Sequence, residues 1–120
     1  MQFSFTPEGK NYYDKLGVLE KSEFLNQLKT QLSSIVPISP DRLDNIQPFK
    51  SSLFTMLIKS TKDLSEKNSD GILKDLDILI KNGETTLISQ LNTTKFIDYG
   101  YGLQVSGKYI SLFLLIFLLY

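Results

Sequence analysis

The chain has no cysteine and no histidine, and its thirteen basic side chains are balanced by thirteen acidic ones. The first two absences exclude thiolate nucleophiles, disulfides, thiol–imidazole zinc sites and the usual neutral-pH proton shuttle. They leave the compartment open, because reducing and oxidising environments both accept a cysteine-free domain. Zero net charge removes the long-range positive field that gathers polyanions, so no nucleic-acid partner is expected. The N-terminus lacks a basic stretch followed by an apolar one, so no secretory leader is visible. The chain is then either cytosolic or a piece of a longer precursor. Neither a P-loop nor a dinucleotide fingerprint occurs, and no cofactor is expected.

What is present suits one domain: 120 residues, 42% hydrophobic and 22% charged. Phe24, Leu25, Leu28, Leu32 and Ile35 line one side of a helix over Lys21 to Val36, with Ser22 as the expected N-cap and Pro37 as the stop. Ile72, Leu73, Leu76, Leu79 and Ile80 line a second, capped by Ser69 and closed by a left-handed Gly83. Between them, Leu43 to Phe49 and Leu53 to Lys59 read as a hairpin, and Pro48 places the first strand near an edge. Phe3 to Phe5 supplies an opening strand stopped by Pro7, and Thr85 to Ser89, Thr94 to Ile97 or Leu103 to Val105 a closing one. The expected fold is α+β: a ferredoxin-like β-α-β-β-α-β sandwich with two helices on one face of an antiparallel sheet, over residues 1–105.

The aromatic first strand Phe3-Ser4-Phe5, the helix segment Phe24-Leu25-Asn26-Gln27-Leu28, the lead-in Ile38-Ser39-Pro40-Asp41-Arg42-Leu43 and the helix Ile72-Leu73-Lys74-Asp75-Leu76 together resemble SEA-type modules of cell-surface and secreted proteins. The resemblance implies an outward-facing module close to a membrane anchor. Some members of that family cut their own backbone between a glycine and a serine in the turn between the second and third strands. The matching stretch is Phe49-Lys50-Ser51-Ser52-Leu53-Phe54, with lysine in place of the glycine, so self-cleavage is not expected.

Few residues suggest chemistry, and no enzyme is expected. Asn92-Thr93-Thr94 matches the N-glycosylation acceptor pattern, in a polar segment suited to exposure. Tyr99 and Tyr101, in the turn Asp98-Tyr99-Gly100-Tyr101-Gly102, are candidate contact aromatics. Asp70, Asp75 and Asp77 lack calcium-loop spacing and read as a solvated face. Phe3, Phe5 and Phe54 offer rings such as an RNA-recognition sheet displays, without its basic-glycine-aromatic motif.

The remaining feature is the apolar run Tyr109 to Tyr120, uncharged throughout, in a tail covering 106–120. As a helix it spans about 18 Å, short of the roughly 30 Å hydrocarbon core. Three readings follow: a truncated transmembrane helix, a tail inserted in one leaflet, or a buried core element. A lipid-anchor signal fits poorly, since Lys108 is nearly its whole spacer. Twelve such residues after a complete domain leave a large patch for water, which favours the membrane. The expected function is a non-catalytic, membrane-proximal interaction or structural module of the cell surface or secretory pathway. The alternative is a cytosolic domain that binds a protein partner, with the tail packed in its core or against that partner.

Overall fold

The computed structural model describes residues 1–61 and 63–105. Three strands, β1 (Gln2–Ser4), β2 (Leu43–Pro48) and β3 (Leu53–Ile58), and three helices, α1 (Pro7–Asp14), α2 (Val18–Ile35) and α3 (Ser69–Lys81), follow the chain order β1-α1-α2-β2-β3-α3. The sheet is antiparallel, with β3 between β1 and β2. Phe3 stands opposite Phe54 and Leu43 opposite Ile58. Alternation along each strand then sends these side chains to one face and Ser4, Leu53, Thr55 and Leu57 to the other.

The first face is the core. Phe3 and Phe5 meet Phe54 and Met56 from β3, Phe24, Leu28 and Leu32 from α2, and Ile72, Leu76 and Ile80 from α3 in one buried cluster. Phe5 is its centre, with ring centroids 4.3 Å from Phe54 and 5.8 Å from Phe24. Full burial of each such side chain contributes roughly 1.5–3 kcal/mol, which is what recruits both helices to the same side of the sheet.

The chain departs from the expected order in several places. A helix absent from the sequence reading, α1, begins at Pro7, whose missing N–H costs nothing in a first turn. Thr6 caps it, its Oγ1 accepting from Gly9 N at 3.1 Å. Next, α2 starts at Val18 with Gly17 as N-cap, so Ser22 lies inside the helix and caps nothing. The extra turn overhangs the core, leaving Val18 89% and Leu19 75% exposed. The cap of α3 is Asn68, one residue before Ser69, because its Oδ1 reaches Gly71 N at 2.8 Å. Gly83 is not left-handed but opens a short 3-10 turn. Its small size is used sterically instead: a Cβ there would lie 3.0 Å from Tyr99 Cβ and 3.3 Å from Ile88 Cγ2.

The largest correction concerns the closing strand. Thr85 to Ser89 and Thr94 to Ile97 form no strand; 3-10 turns occupy Gly83–Thr85, Leu87–Ser89 and Thr94–Phe96. Hydroxyl side chains take the carbonyls that turns leave open: Thr85 donates to Asn82 O, Thr86 to Leu79 O and Thr94 to Ile88 O. Such local bonds compete with a ladder. What remains beside β1 is two isolated antiparallel bridges, Phe5 with Ile97 and Gln2 with Gln104.

β2 carries a bulge between Asp44 and Gln47, with Asn45 at φ 53°, and ends at Pro48. The connection from β3 to α3 is held by Arg42, the one charged side chain buried among the described residues. Its Nε donates to Lys59 O and its Nη1 to Lys67 O, both at 2.7 Å. Glu66 Oε1 lies 3.2 Å from Nη1 as a charge contact without a directional hydrogen bond.

Candidate functional site

Among the described residues a concavity lies where α1, α2 and the Thr94–Phe96 turn meet. Gly9 allows the approach: a Cβ on it would stand 2.6 Å from Phe96 Cβ, so only glycine lets α1 seat against that turn. Thr6 N donates to Phe96 O at 2.8 Å and fixes the same junction. The Gln31 Oε1 on α2 accepts from both Thr93 N, 3.1 Å, and Thr93 Oγ1, 2.6 Å, which ties the 92–96 segment to the helix.

Three rings from three separate segments form the floor. Tyr12 and Phe96 stack with centroids 5.1 Å apart and planes 26° apart, and Phe24 lies 5.9 Å from Tyr12 and 6.2 Å from Phe96. Tyr12 is 49% exposed. Gln27, Asn92, Thr93 and Lys95 complete the lining of a groove of ≈ 300 Å³. A second hollow of ≈ 230 Å³ continues from Tyr12, Phe24 and Gln27 toward Glu20 and Glu23. Lys95 Nζ sits 5.1 Å from the Phe96 centroid. An aromatic floor with amide and hydroxyl groups and the Lys95 ammonium on its rim suits a ligand that has an apolar face and hydrogen-bonding edges.

Of the residues singled out from the sequence, Asn92 is exposed and stands on the lip of this groove. Tyr99 and Tyr101 are elsewhere, on a turn whose Asp98 Oδ1 accepts from Gly100 N and Tyr101 N at 2.9 and 3.3 Å. Tyr99 is 46% exposed and also packs beside Gly83; Tyr101 is half-buried. The two do not join the three rings of the groove. Ser51 has φ 53°, a left-handed conformation that strains any residue but glycine, whereas Lys50 does not. Near it, Ser4 and Ser52 hydroxyls share a 3.0 Å hydrogen bond with no base attached.

The acidic residues of α3 do not converge. Asp75 pairs with Lys67 and Asp77 with Lys81, the latter at 3.0 Å. Among the described residues no group of three or more carboxylates is placed to hold a metal. Asp63 is held below the usual carboxylate range by hydrogen bonds from the Ser65 side chain and then its backbone, a local turn on the surface. Burial, and then the neighbouring Asp14 charge, push the Tyr13 hydroxyl above its ordinary value.

The rings Phe3, Phe5 and Phe54 are at most 1% exposed and lie under the helices, so none can stack on a base. The opposite face, without a helix among the described residues, carries Gln2, Ser4, Leu53, Thr55 and Leu57 with their register partners Asp44 and Gln47, and Leu57 is 56% exposed. The apolar run Tyr109 to Tyr120 lies outside the described residues; among those described, no helix is long and apolar enough to cross a membrane. The groove escapes sequence reasoning because Tyr12, Phe24 and Phe96 meet only in three dimensions. Thr6-Pro7-Glu8 carries the start signal of α1, beyond the strand stop read from Pro7. No protein-family model, curated protein or solved structure matches the chain.

Proposed function

We propose that this chain is a non-catalytic, membrane-proximal interaction or structural module, held at a bilayer by residues 106–120 and facing the secretory or extracellular side. The observation that carries the reading is the contrast between a filled core and an apolar run. Leu28, Leu32, Phe54, Ile72 and Leu76 are fully buried by one another and their neighbours on β1 to α3. The sequence adds the uncharged stretch Tyr109 to Tyr120, twelve residues with Ser111 as its one clearly polar interruption. Burying it in lipid removes a patch that water disfavours.

The fold we assign with it is the split β-α-β-β-α-β arrangement with its last strand reduced. The order β1-β3-β2 and the two antiparallel bridges on the free edge of β1 support this, since that edge is where a fourth strand of the topology runs. Kinship with SEA-type modules is part of the same proposal. A second reading, a cytosolic domain that receives a protein partner, draws support from the exposed Leu57 on the sheet face opposite the core.

Flotation of the full chain with neutral phosphatidylcholine vesicles separates the two. The first reading expects the protein in the lipid fraction and Leu114→Lys/Phe117→Lys in the aqueous one. A full chain that is monodisperse without lipid or detergent, and that fails to float, refutes it.

A further inference from the structure

One rim residue of the aromatic groove differs from the others in kind, because Asn92 opens an acceptor tripeptide for N-linked sugar. The other two members of the tripeptide are locked inside. Thr94 is 0% exposed with its Oγ1 donating to Ile88 O at 2.8 Å, and Thr93 is 1% exposed with its hydroxyl on Gln31. A transferring enzyme must engage the second threonine hydroxyl together with the asparagine, and in the folded chain that hydroxyl is out of reach. The nascent chain offers both.

Resting on the secretory reading above, we propose that Asn92 is glycosylated before the domain folds, and that its first N-acetylglucosamine then occupies the groove over Tyr12 and Phe96. In the transfer, a bond forms between Asn92 Nδ2 and sugar C1 as the C1–O bond to the pyrophosphate of a lipid-linked oligosaccharide breaks. The amide loses one proton and the lipid pyrophosphate leaves. On folding, the sugar is tethered at the groove's own lip, which removes most of the entropy of bringing the two together. Its C–H face covers the half-exposed Tyr12 ring, stacked at 5.1 Å on Phe96. Gln27, beside it in the lining, supplies an amide donor and acceptor for the acetamido and hydroxyl groups.

The test uses the full chain made in cells behind an added signal sequence, so that entry into the lumen is assured. The glycosylated protein is expected to melt about 3 °C or more above Asn92→Gln, and to keep that gap after trimming to a single N-acetylglucosamine. Tyr12→Ala is expected to close the gap, and with it the upfield ring-current shift of the sugar's acetyl methyl in NMR spectra. With purified oligosaccharyltransferase, urea-unfolded chain is expected to accept sugar while folded chain does not. Equal melting with and without the sugar, a gap that survives Tyr12→Ala, folded chain that accepts sugar as well as unfolded, or no sugar on Asn92 despite the added signal each overturn the proposal. Lack of sugar only on chain made without the added signal removes the secretory reading and leaves the groove assignment standing.

Discussion

Replacing Arg42 by methionine should be among the most damaging single changes that leave the apolar core intact. Arg42 is 5% exposed, and its guanidinium donates to two backbone carbonyls, Lys59 O and Lys67 O, each at 2.7 Å. Charge-assisted hydrogen bonds of this kind contribute about 1.5–3 kcal/mol each. Methionine keeps much of the apolar stem, and the desolvation cost of a buried cation disappears, which offsets part of the loss. The expected net destabilisation of Arg42→Met is about 2–4 kcal/mol, a large share of the roughly 5–15 kcal/mol typical of a domain. In urea this corresponds to a midpoint lower by about 1–2 M. Hydrogen exchange should localise the damage to the amides of Lys59, Gly71 and Ile72, since the Arg42 carbonyl accepts from Lys59 N and Asn68 holds the other two. Glu66→Gln should cost about 1 kcal/mol or less, because the carboxylate is partly exposed and makes only a charge contact. A midpoint for Arg42→Met within about 0.3 M of wild type, or equal effects of the two substitutions, would refute the clamp.

Gly9→Ala should destabilise by about 1–2 kcal/mol in urea titrations despite alanine's better helix propensity, because overpacking against Phe96 outweighs it; a stabilised variant would contradict the close approach of α1. Ser51→Gly should raise stability by about 0.5 kcal/mol by relieving its left-handed backbone, while Lys50→Gly should not, and the order of the two midpoints checks this. Tyr13 ionises at a higher pH folded than unfolded, so its contribution is fully present below the unfolded value of 10.0 and is lost as pH rises through the folded one. The fall in stability above about pH 10 should therefore be shallower in Tyr13→Phe than in wild type, compared by urea midpoints at stepped pH.

Both amphipathic helices were legible because their apolar residues repeat over many turns, as with Phe24, Leu28 and Leu32 or Ile72, Leu76 and Ile80. The hairpin was legible from two β-prone runs around a polar turn, and Pro48 does fall on an outer strand of the described sheet. By contrast, α1 buries only Gly9 and Tyr13 of its eight residues, too few for a period to emerge. Its existence depends on Thr6 as a cap and on the room that Gly9 leaves for Phe96. The 83–96 stretch has β-prone residue types, yet their hydroxyls bond to nearby carbonyls, and composition does not distinguish these outcomes. Of the groove, Asn92 was visible as a motif and Phe24 as a core position. That both border one hollow is a tertiary fact, set by Gln31 holding Thr93.

Both margins of the described sheet are rough. On one side, an extra residue kinks β2 and proline interrupts its row of donors. On the other, the chain beyond Phe96 touches β1 at separated points, with Asp98 N on Ser4 O at 2.7 Å and Gln104 N on Gln2 O at 2.9 Å. A neighbouring molecule finds no long straight border to copy, which guards against fibrous growth. Detaching the 97–104 segment would undo that protection on the β1 side and pull the buried Ile97 and Leu103 out of the core, leaving a damaged molecule an open border by which to recruit its own kind.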